Sequence, residues 1–553
     1  MDKSWLKSYP EGVPAELPEP KYRSLRDMIE SSFSEYPDRP AYANMGTTLS
    51  YAELDRLSMQ FAGYLQGTLG LQKGERVAIM MPNILQYPVV LCGIFRAGLV
   101  AVNVNPLYTA RELEHQLKDS GARAIVIVDN FASVLAEVLA NTGVEHIVTT
   151  GVGDLLERPK GWIVNFVLRY VKKAIPAYSL PGAVRLRAAL KKGAGHQLKP
   201  VELGLADLAF LQYTGGTTGV SKGAMLSHRN LVCNVMQTME WQSDIYDGYH
   251  PIVAITALPL YHIFSLQSNC LTMMAQGGLN VLITNPRDFP AFVNELKQWD
   301  FNFISAVNTM FAALLNTEGF DEIDFSHLRV AVGGGMAVQP AVAKKWAEVT
   351  GCEVGQGYGL TETSPVAIVT RFNDAFTGTI GLPVPSTEVM IADEDGNPLP
   401  VNEVGEICIK GPQVMEGYWQ RPEETEKVML PGGWLRTGDI GRMDEDGFSW
   451  IEDRKKDMIL VSGFNVYPNE IENVVVEMPG ILEAAAIGVP NERSGEIVKI
   501  FAVRTDDSVT EKDVKDFCKD KLTGYKRPRM VEFRDELPKT NVGKILRRAL
   551  RDE

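Results

Sequence analysis

One alternation constrains this chain more than any other feature. Short apolar runs at residues 76–81, 100–104 and 122–128 read as strands, and 87–97 and 110–120 between them read as helices, the first stopped by Gly98. Upstream, Ser50-Tyr-Ala-Glu53 is a capping box that opens a helix with Leu54, Leu57, Phe61 and Leu65 on one face. The strand pattern resumes after Ala206, at 252–258, 279–283, 303–307, 330–332 and 353–358. Strands alternating with helices at this spacing predict parallel sheets covered by helices on both faces. From about residue 387 the texture changes to short strands with Gly/Pro turns. A charged joint, Asp453-Arg-Lys-Lys-Asp457, precedes a last pattern of helix 468–478, strands 484–489 and 498–503, and helix 510–519. The expected fold is therefore α/β, with a large N-terminal part (1–453) of layered αβ subdomains plus a small β subdomain from about 387. A separate small α+β domain spans 454–553.

Composition excludes several classes. With 553 residues and 45% hydrophobic content the chain can bury large cores. A formal net charge of −14 argues against nucleic-acid binding. The six cysteines form no Cys-x-x-Cys pair, which suits a reducing cytoplasm and no structural zinc. The first ten residues lack an apolar signal core, and no apolar run is long enough to span a bilayer.

Chemistry concentrates first in Tyr213-Thr-Gly-Gly-Thr-Thr-Gly-Val-Ser-Lys-Gly223, which follows a buried strand-like run from Leu205. Gly215, Gly216, Gly219 and Gly223 let the backbone curl so that several N–H groups converge on one anion. Thr214, Thr217, Thr218 and Ser221 add hydroxyl donors, and Lys222 adds a mobile point charge. This is a phosphate cradle, though not a Walker A loop. A second cluster, Gln356-Gly-Tyr-Gly-Leu-Thr-Glu-Thr-Ser-Pro365, places the carboxylate of Glu362 among glycines and hydroxyls. A triphosphate needs a hard cation, and Mg²⁺ takes one or two carboxylates plus phosphate oxygens. Tyr358 offers a ring that could stack on a base.

These two clusters resemble core motifs of the adenylate-forming superfamily, and other segments agree. Leu258-Pro-Leu-Tyr-His-Ile-Phe264 resembles the motif whose histidine, here His262, sits by the acyl pocket. Val332-Gly-Gly-Gly-Met336, with Gly334 and Gly335, resembles the adenine-side loop. Trp434-Leu-Arg-Thr-Gly-Asp439 supplies the aspartate expected on the ribose hydroxyls, and Arg454 a ribose or phosphate contact. Pro538-Lys-Thr-Asn-Val-Gly-Lys-Ile-Leu546 carries the late lysine, Lys544. Within the superfamily the chain most resembles bacterial long-chain fatty-acyl-CoA synthetases, from about Tyr22 to the C-terminus. Medium-chain and aryl (cinnamate-type) CoA ligases share nearly every motif.

The resemblance implies activation of a fatty acid with ATP to acyl-AMP and pyrophosphate, then transfer to coenzyme A. It implies Mg²⁺ on Thr214 and Glu362, and nucleotide contacts from Tyr213 to Gly219, Lys222, Gly334, Gly335, Tyr358, Gly359, Thr361, Asp439 and Arg454. Lys544, His262 and Glu362 are the expected catalytic residues. The C-terminal domain is implied to be a mobile lid turning about Lys456, where many relatives have Asp. Gly463 is implied to serve the CoA step, and a homodimer is possible.

Two further readings come from the residues themselves. Residues 158–200 carry ten basic residues and no acidic one, interleaved with Trp162, Ile163, Phe166 and Tyr170. Such a stretch suits peripheral contact with an anionic membrane, at the inner face of the cell membrane. Gly219-Val-Ser-Lys-Gly223 formally matches a serine-hydrolase elbow. An elbow's serine follows its strand almost directly, whereas Thr214 to Thr218 intervene here.

Overall fold

The computed structural model describes residues 3–214, 221–246, 248–372, 374–462, 464–491, 493–540 and 543–551. Among them the strands form four sheets, of seven, nine, five and five strands. The seven-stranded sheet is parallel from Val184–Arg185 through His146–Thr150, Ala124–Val128, Arg76–Met80 and Val100–Asn103 to Leu208–Thr214. Lys222–Ser227 closes it antiparallel to Leu208–Thr214. The nine-stranded sheet is parallel in its middle, from Val354–Gly359 to Pro40–Asn44, with antiparallel strands at both edges. Central strands such as Ala124–Val128 are buried along their whole length, as parallel strands covered on both faces must be. The expected α/β architecture is present, and so is a small sheet from Glu388–Ala392 to Ser449–Arg454. A last sheet runs from Ile459–Val461 to Met530–Arg534 with helices Pro468–Val476 and Glu511–Lys521 beside it.

Local signals fix element ends. Ser50 accepts from the Glu53 N–H while Glu53 reaches back to the Ser50 N–H, so the capping box forms as read. Helix Gln86–Arg96 stops at Gly98, whose φ of +74° only glycine adopts freely.

The amino-terminal lead is a strap. Trp5 is 2% exposed and packs with Trp241, Val369, Leu382 and Val384. Gly447, at φ +85°, leaves room for it, since a Cβ there would lie 2.3 Å from the Trp5 Cα. The Tyr9 hydroxyl donates to the Pro383 carbonyl at 2.5 Å.

The basic stretch divides in two. Arg185 pairs with Asp129 at 2.6 Å and Asp154 at 2.9 Å, and Arg187 donates to the Asp154 carbonyl at 2.6 Å. These arginines fasten helix Leu186–Gly193 to the seven-stranded sheet, so they are structural rather than free surface charge. Lys160, Lys172, Lys173, Lys191 and Lys192 are exposed. No helix among the described residues is long and apolar enough to cross a membrane.

Candidate active site

In parallel α/β sheets ligands gather beyond the carboxyl ends of the strands. Thr214, Gly334 and Gly359 each end their strand. Gly215, Gly216, Thr217, Thr218 and Gly219 lie outside the described residues, as does Gly463. The stem of that loop is well defined, with Thr214 opposite Lys222 in the antiparallel register. The Tyr213 hydroxyl donates to Asp119 at 2.7 Å, and its ring packs under Gly223. Asp119 also takes Arg421 at 2.6 Å, tying the stem to the segment after Tyr418. Lys222 is not a free charge: its ammonium pairs with Glu424 and lies 5.0 Å from the Tyr418 ring centroid.

Glu362 follows in the turn Thr361–Thr363, where its Oε1 accepts from the Tyr418 hydroxyl at 2.6 Å. Burial, reinforced by Glu362, pushes the Tyr418 phenol up, so it stays protonated and donates. Glu362 lines a cavity of about 250 Å³ together with Lys427, Arg436 and Lys455. Gly359 has a structural role, because a Cβ there would meet the Pro365 carbonyl at 1.7 Å.

On the other side Asp439 is 4% exposed and takes two donors. Its Oδ2 accepts from the Tyr358 hydroxyl at 2.8 Å, and its Oδ1 faces Arg454 Nε at 3.1 Å. Each carboxylate oxygen keeps one lone pair, enough for two hydroxyls of a ribose. A second cavity, about 270 Å³, opens here between Thr437–Asp439 and Arg454–Lys456. Gly334 sits opposite Gly357 in the register, and a Cβ on it would meet Phe264 at 2.8 Å. Gly335 follows at φ +76°.

Lys544 and His262 come from opposite ends of this arrangement. His262 caps the turn Ile263–Ser265, its Nδ1 accepting from the Phe264 N–H at 3.4 Å, which leaves the proton on Nε2. Burial, and secondarily the charge of Lys544, lowers its pKa to about 4, so the imidazole is neutral at pH 7. Burial, and then Arg454, lowers the Lys544 pKa to about 7. The segment carrying it is seated on Val307 and Thr309. The Thr309 hydroxyl donates to the Gly543 carbonyl at 3.3 Å, and a Cβ on Gly543 would lie 2.9 Å from the Thr309 oxygen. Gly543, at φ +83°, is thus required for the approach that delivers Lys544.

The joint between these parts is also ordered. Asp453, fully buried, accepts from the Arg454 N–H at 2.7 Å and the Asn469 N–H at 2.8 Å, and pairs with Arg547 at 3.2 Å. Arg547 in turn binds Glu472 at 2.7 Å and Asp457 at 3.4 Å.

The structure therefore brings Thr214, Lys222, Glu362, Tyr358, Asp439, Arg454, His262 and Lys544 to one region. Sequence reasoning missed Tyr418, Asp119 and Glu424, which carry no motif of their own. Among the described residues no cluster of three His, Cys, Asp or Glu side chains forms a preformed metal cage. The chemistry of the donor set, one carboxylate and one hydroxyl, suits Mg²⁺, which keeps several waters and takes phosphate oxygens.

Comparison with known proteins follows the same lines. The family described as AMP-binding enzyme matches residues 29–419, and its C-terminal domain family matches residues 470–544. The chain is 56% identical to a long-chain-fatty-acid–CoA ligase of Escherichia coli O6:H1, over 100% of this chain and 98% of the relative. It is 36% identical to the Bacillus subtilis protein of that name, over 100% and 98%. A rice 4-coumarate–CoA ligase-like protein is 33% identical over 96% and 92%. Among solved structures, an anthranilate CoA ligase with anthranoyl-AMP matches at a TM-score of 0.85, 26% identity and 97% and 98% coverage. ATP-bound MatB from Rhodopseudomonas palustris matches at 0.81, 29% identity and 95% and 98% coverage. The strand-end glycines, the Asp439–Arg454 pair and the full-length matches lead to one conclusion: this chain belongs to the AMP-binding enzyme family.

Proposed function

We propose that this protein is an AMP-forming ligase that activates long-chain fatty acids with ATP and transfers them to coenzyme A. The relatives of the same name at 54–56% identity favour this over the aryl reading, whose representative is 33% identical. The observation that carries the mechanism is the burial of Lys544 beside Arg454, Asp439 and His262. In the first step a carboxylate oxygen of the acid attacks the α-phosphorus of ATP. The new O–P bond gives acyl-AMP, and pyrophosphate leaves. In the second step the CoA sulfur attacks the acyl carbonyl and AMP leaves.

Asp439 holds the ribose, and Gly334 and Gly335 the adenine side. The loop after Thr214, with Lys222, holds the β- and γ-phosphates. Lys544 contacts the carboxylate and α-phosphate oxygens, where charge reorganises; their negative charge restores the protonation that burial opposes. His262, neutral and donating through Nε2, lines the acyl side as a dipole rather than a charge. Mg²⁺ would be held by Glu362 and Thr214, and would neutralise phosphate charge. Residues 454–553 act as a lid hinged at Lys456, with Gly463 serving thioester formation. Fatty-acid-dependent ATP–pyrophosphate exchange tests the first step, and CoA ligation over acids of rising chain length plus a cinnamate tests the substrate class. Exchange without any fatty-acid dependence would overturn the reading.

We also propose contact with an anionic bilayer at the inner face of the cell membrane. Helix Lys160–Phe166 and the wider turn Val167–Val171 expose Trp162, Ile163, Phe166, Tyr170 and Val171, each more than half accessible. The opposite face is anchored. Asn165 donates to Asp154 at 2.9 Å, and Gly161 lies so close to Gly153 that a Cβ there would meet its carbonyl at 2.2 Å. An outward aromatic face beside free lysines suits the bilayer interface. Changing Lys172, Lys173, Lys191 and Lys192 to Glu should release the protein from anionic vesicles, each charge contributing about 1 kcal/mol at low salt. Activity on short soluble acids should persist. Undiminished, salt-insensitive sedimentation with vesicles would refute the contact.

A further inference from the structure

Glu424 has no place in the motifs above, yet it holds the one lysine of the phosphate loop. It lies in helix Pro422–Val428, and its two oxygens are divided: Oε2 takes Lys222, and Oε1 takes Lys427. The helix is fixed from below. The Tyr418 N–H donates to the Thr425 hydroxyl at 2.9 Å, that hydroxyl donates to the Arg421 carbonyl at 3.0 Å, and Arg421 pairs with Asp119 at 2.6 Å. Glu424 and Lys222 are each about one-third exposed, 31% and 31%. The two ammonium groups, Lys222 first, lower the Glu424 pKa to about 2, so it carries its charge throughout the working pH range. The cavity bounded by Glu362, Tyr418 and Lys427 lies alongside.

A lysine ammonium is a compact point charge on a flexible stem. It has three N–H donors, but drawing it toward a phosphate oxygen weakens its contact with the carboxylate. We propose that Glu424 is a positioning residue that competes with inorganic pyrophosphate for Lys222, so that the product leaves as Lys222 returns to the carboxylate. Lys427 tunes the contest by occupying the other oxygen. No covalent step is involved; one ion pair is exchanged for another. The inference rests on the reading of the loop as a polyphosphate cradle.

The test is a double-mutant cycle on the full-length protein with Mg²⁺ present, read as the dissociation constant of inorganic pyrophosphate by calorimetry and as its product-inhibition constant. Glu424→Gln should tighten pyrophosphate about fivefold, the size of a well-placed, partly exposed ion pair. The KM for ATP should move the same way, with no rise in kcat. In a Lys222→Met background Glu424→Gln should have no effect, because the contest has lost its object. Glu423→Gln, an equal charge change on the exposed neighbour, should change the constant less than twofold. An unchanged constant in Glu424→Gln overturns the inference. So does an equal gain in the Lys222→Met background, which would mean that Glu424 acts only through its field. If wild-type protein neither binds pyrophosphate nor exchanges it into ATP, the ligase reading falls and the inference with it. Normal exchange with zero coupling removes the inference alone.

Discussion

Lys544→Ala is expected to abolish acyl-AMP formation from ATP and fatty acid, by about three orders of magnitude, while still converting synthetic acyl-AMP and CoA to the thioester. The size follows from the environment. An ammonium buried with Arg454 nearby has its pKa lowered to about 7, and anions arriving beside it favour its charged form. It then stabilises the transition state more than the separated reactants, which is what raises turnover. Alanine leaves the seat on Thr309 intact, since that contact is made by the Gly543 carbonyl. Gly463→Leu should show the reverse pattern, accumulating bound acyl-AMP, under the proposal that Gly463 serves the CoA step. Lys456→Pro, which fixes φ at the joint, should form the adenylate and lose the CoA step. Measuring both half-reactions in each variant decides the matter. Equal loss of both halves in folded Lys544→Ala would show that the lid does not divide its work in this way.

Glu362→Gln is expected to lower turnover by roughly 10²–10³-fold with a change in stability of about 1 kcal/mol or less. The amide keeps an oxygen for the Tyr418 hydroxyl, so the 2.6 Å hydrogen bond has a substitute acceptor and the turn is preserved. What is lost is the negative charge. The variant should need far more Mg²⁺ to reach its residual rate. Tyr418→Phe, which removes the donor and leaves the carboxylate, should cost about tenfold, as expected for a group that orients the proposed metal ligand. Thermal melting with Mg²⁺ titration of activity separates the two. An unchanged rate and unchanged Mg²⁺ dependence in Glu362→Gln would remove this residue from the metal site.

The two clusters that located the site were readable because their chemistry is local in sequence. Glycines, hydroxyls and a carboxylate within a few residues of a buried strand end state their purpose without a partner. The helix start at Ser50 was equally plain, because a capping box closes within four residues. Glu424 was not readable. Arg421-Pro-Glu-Glu-Thr-Glu-Lys427 has the composition of any solvated helix start, and its target Lys222 lies some 200 residues earlier. Tyr418 and Glu362 are 56 residues apart and meet because backbone bonds lay the segment before Tyr418 along strand Lys222–Ser227 and join the Met415 N–H to the Glu362 carbonyl. The basic stretch misled in part for the same reason. Its charge run was visible, but Asp129 and Asp154, which consume Arg185, precede it in the chain. Periodicity reports which face of an element is buried; it carries no information on which distant charge a side chain will meet.

The strap built on Trp5 sets an order in time. Its socket is formed by Val369, Leu382 and Val384 together with Phe448. A ribosome adding roughly 5–20 residues per second completes that socket some 20–90 s after Trp5 has left the exit tunnel. During that interval the indole can meet Trp241 but not the strands that complete its socket, while the seven-stranded sheet can already assemble beside it. Docking of the first residues is therefore among the last events in the life of the nascent chain. A stall just upstream of residue 448 leaves the Trp5 indole without its Phe448 wall, an apolar surface that quality-control factors can bind.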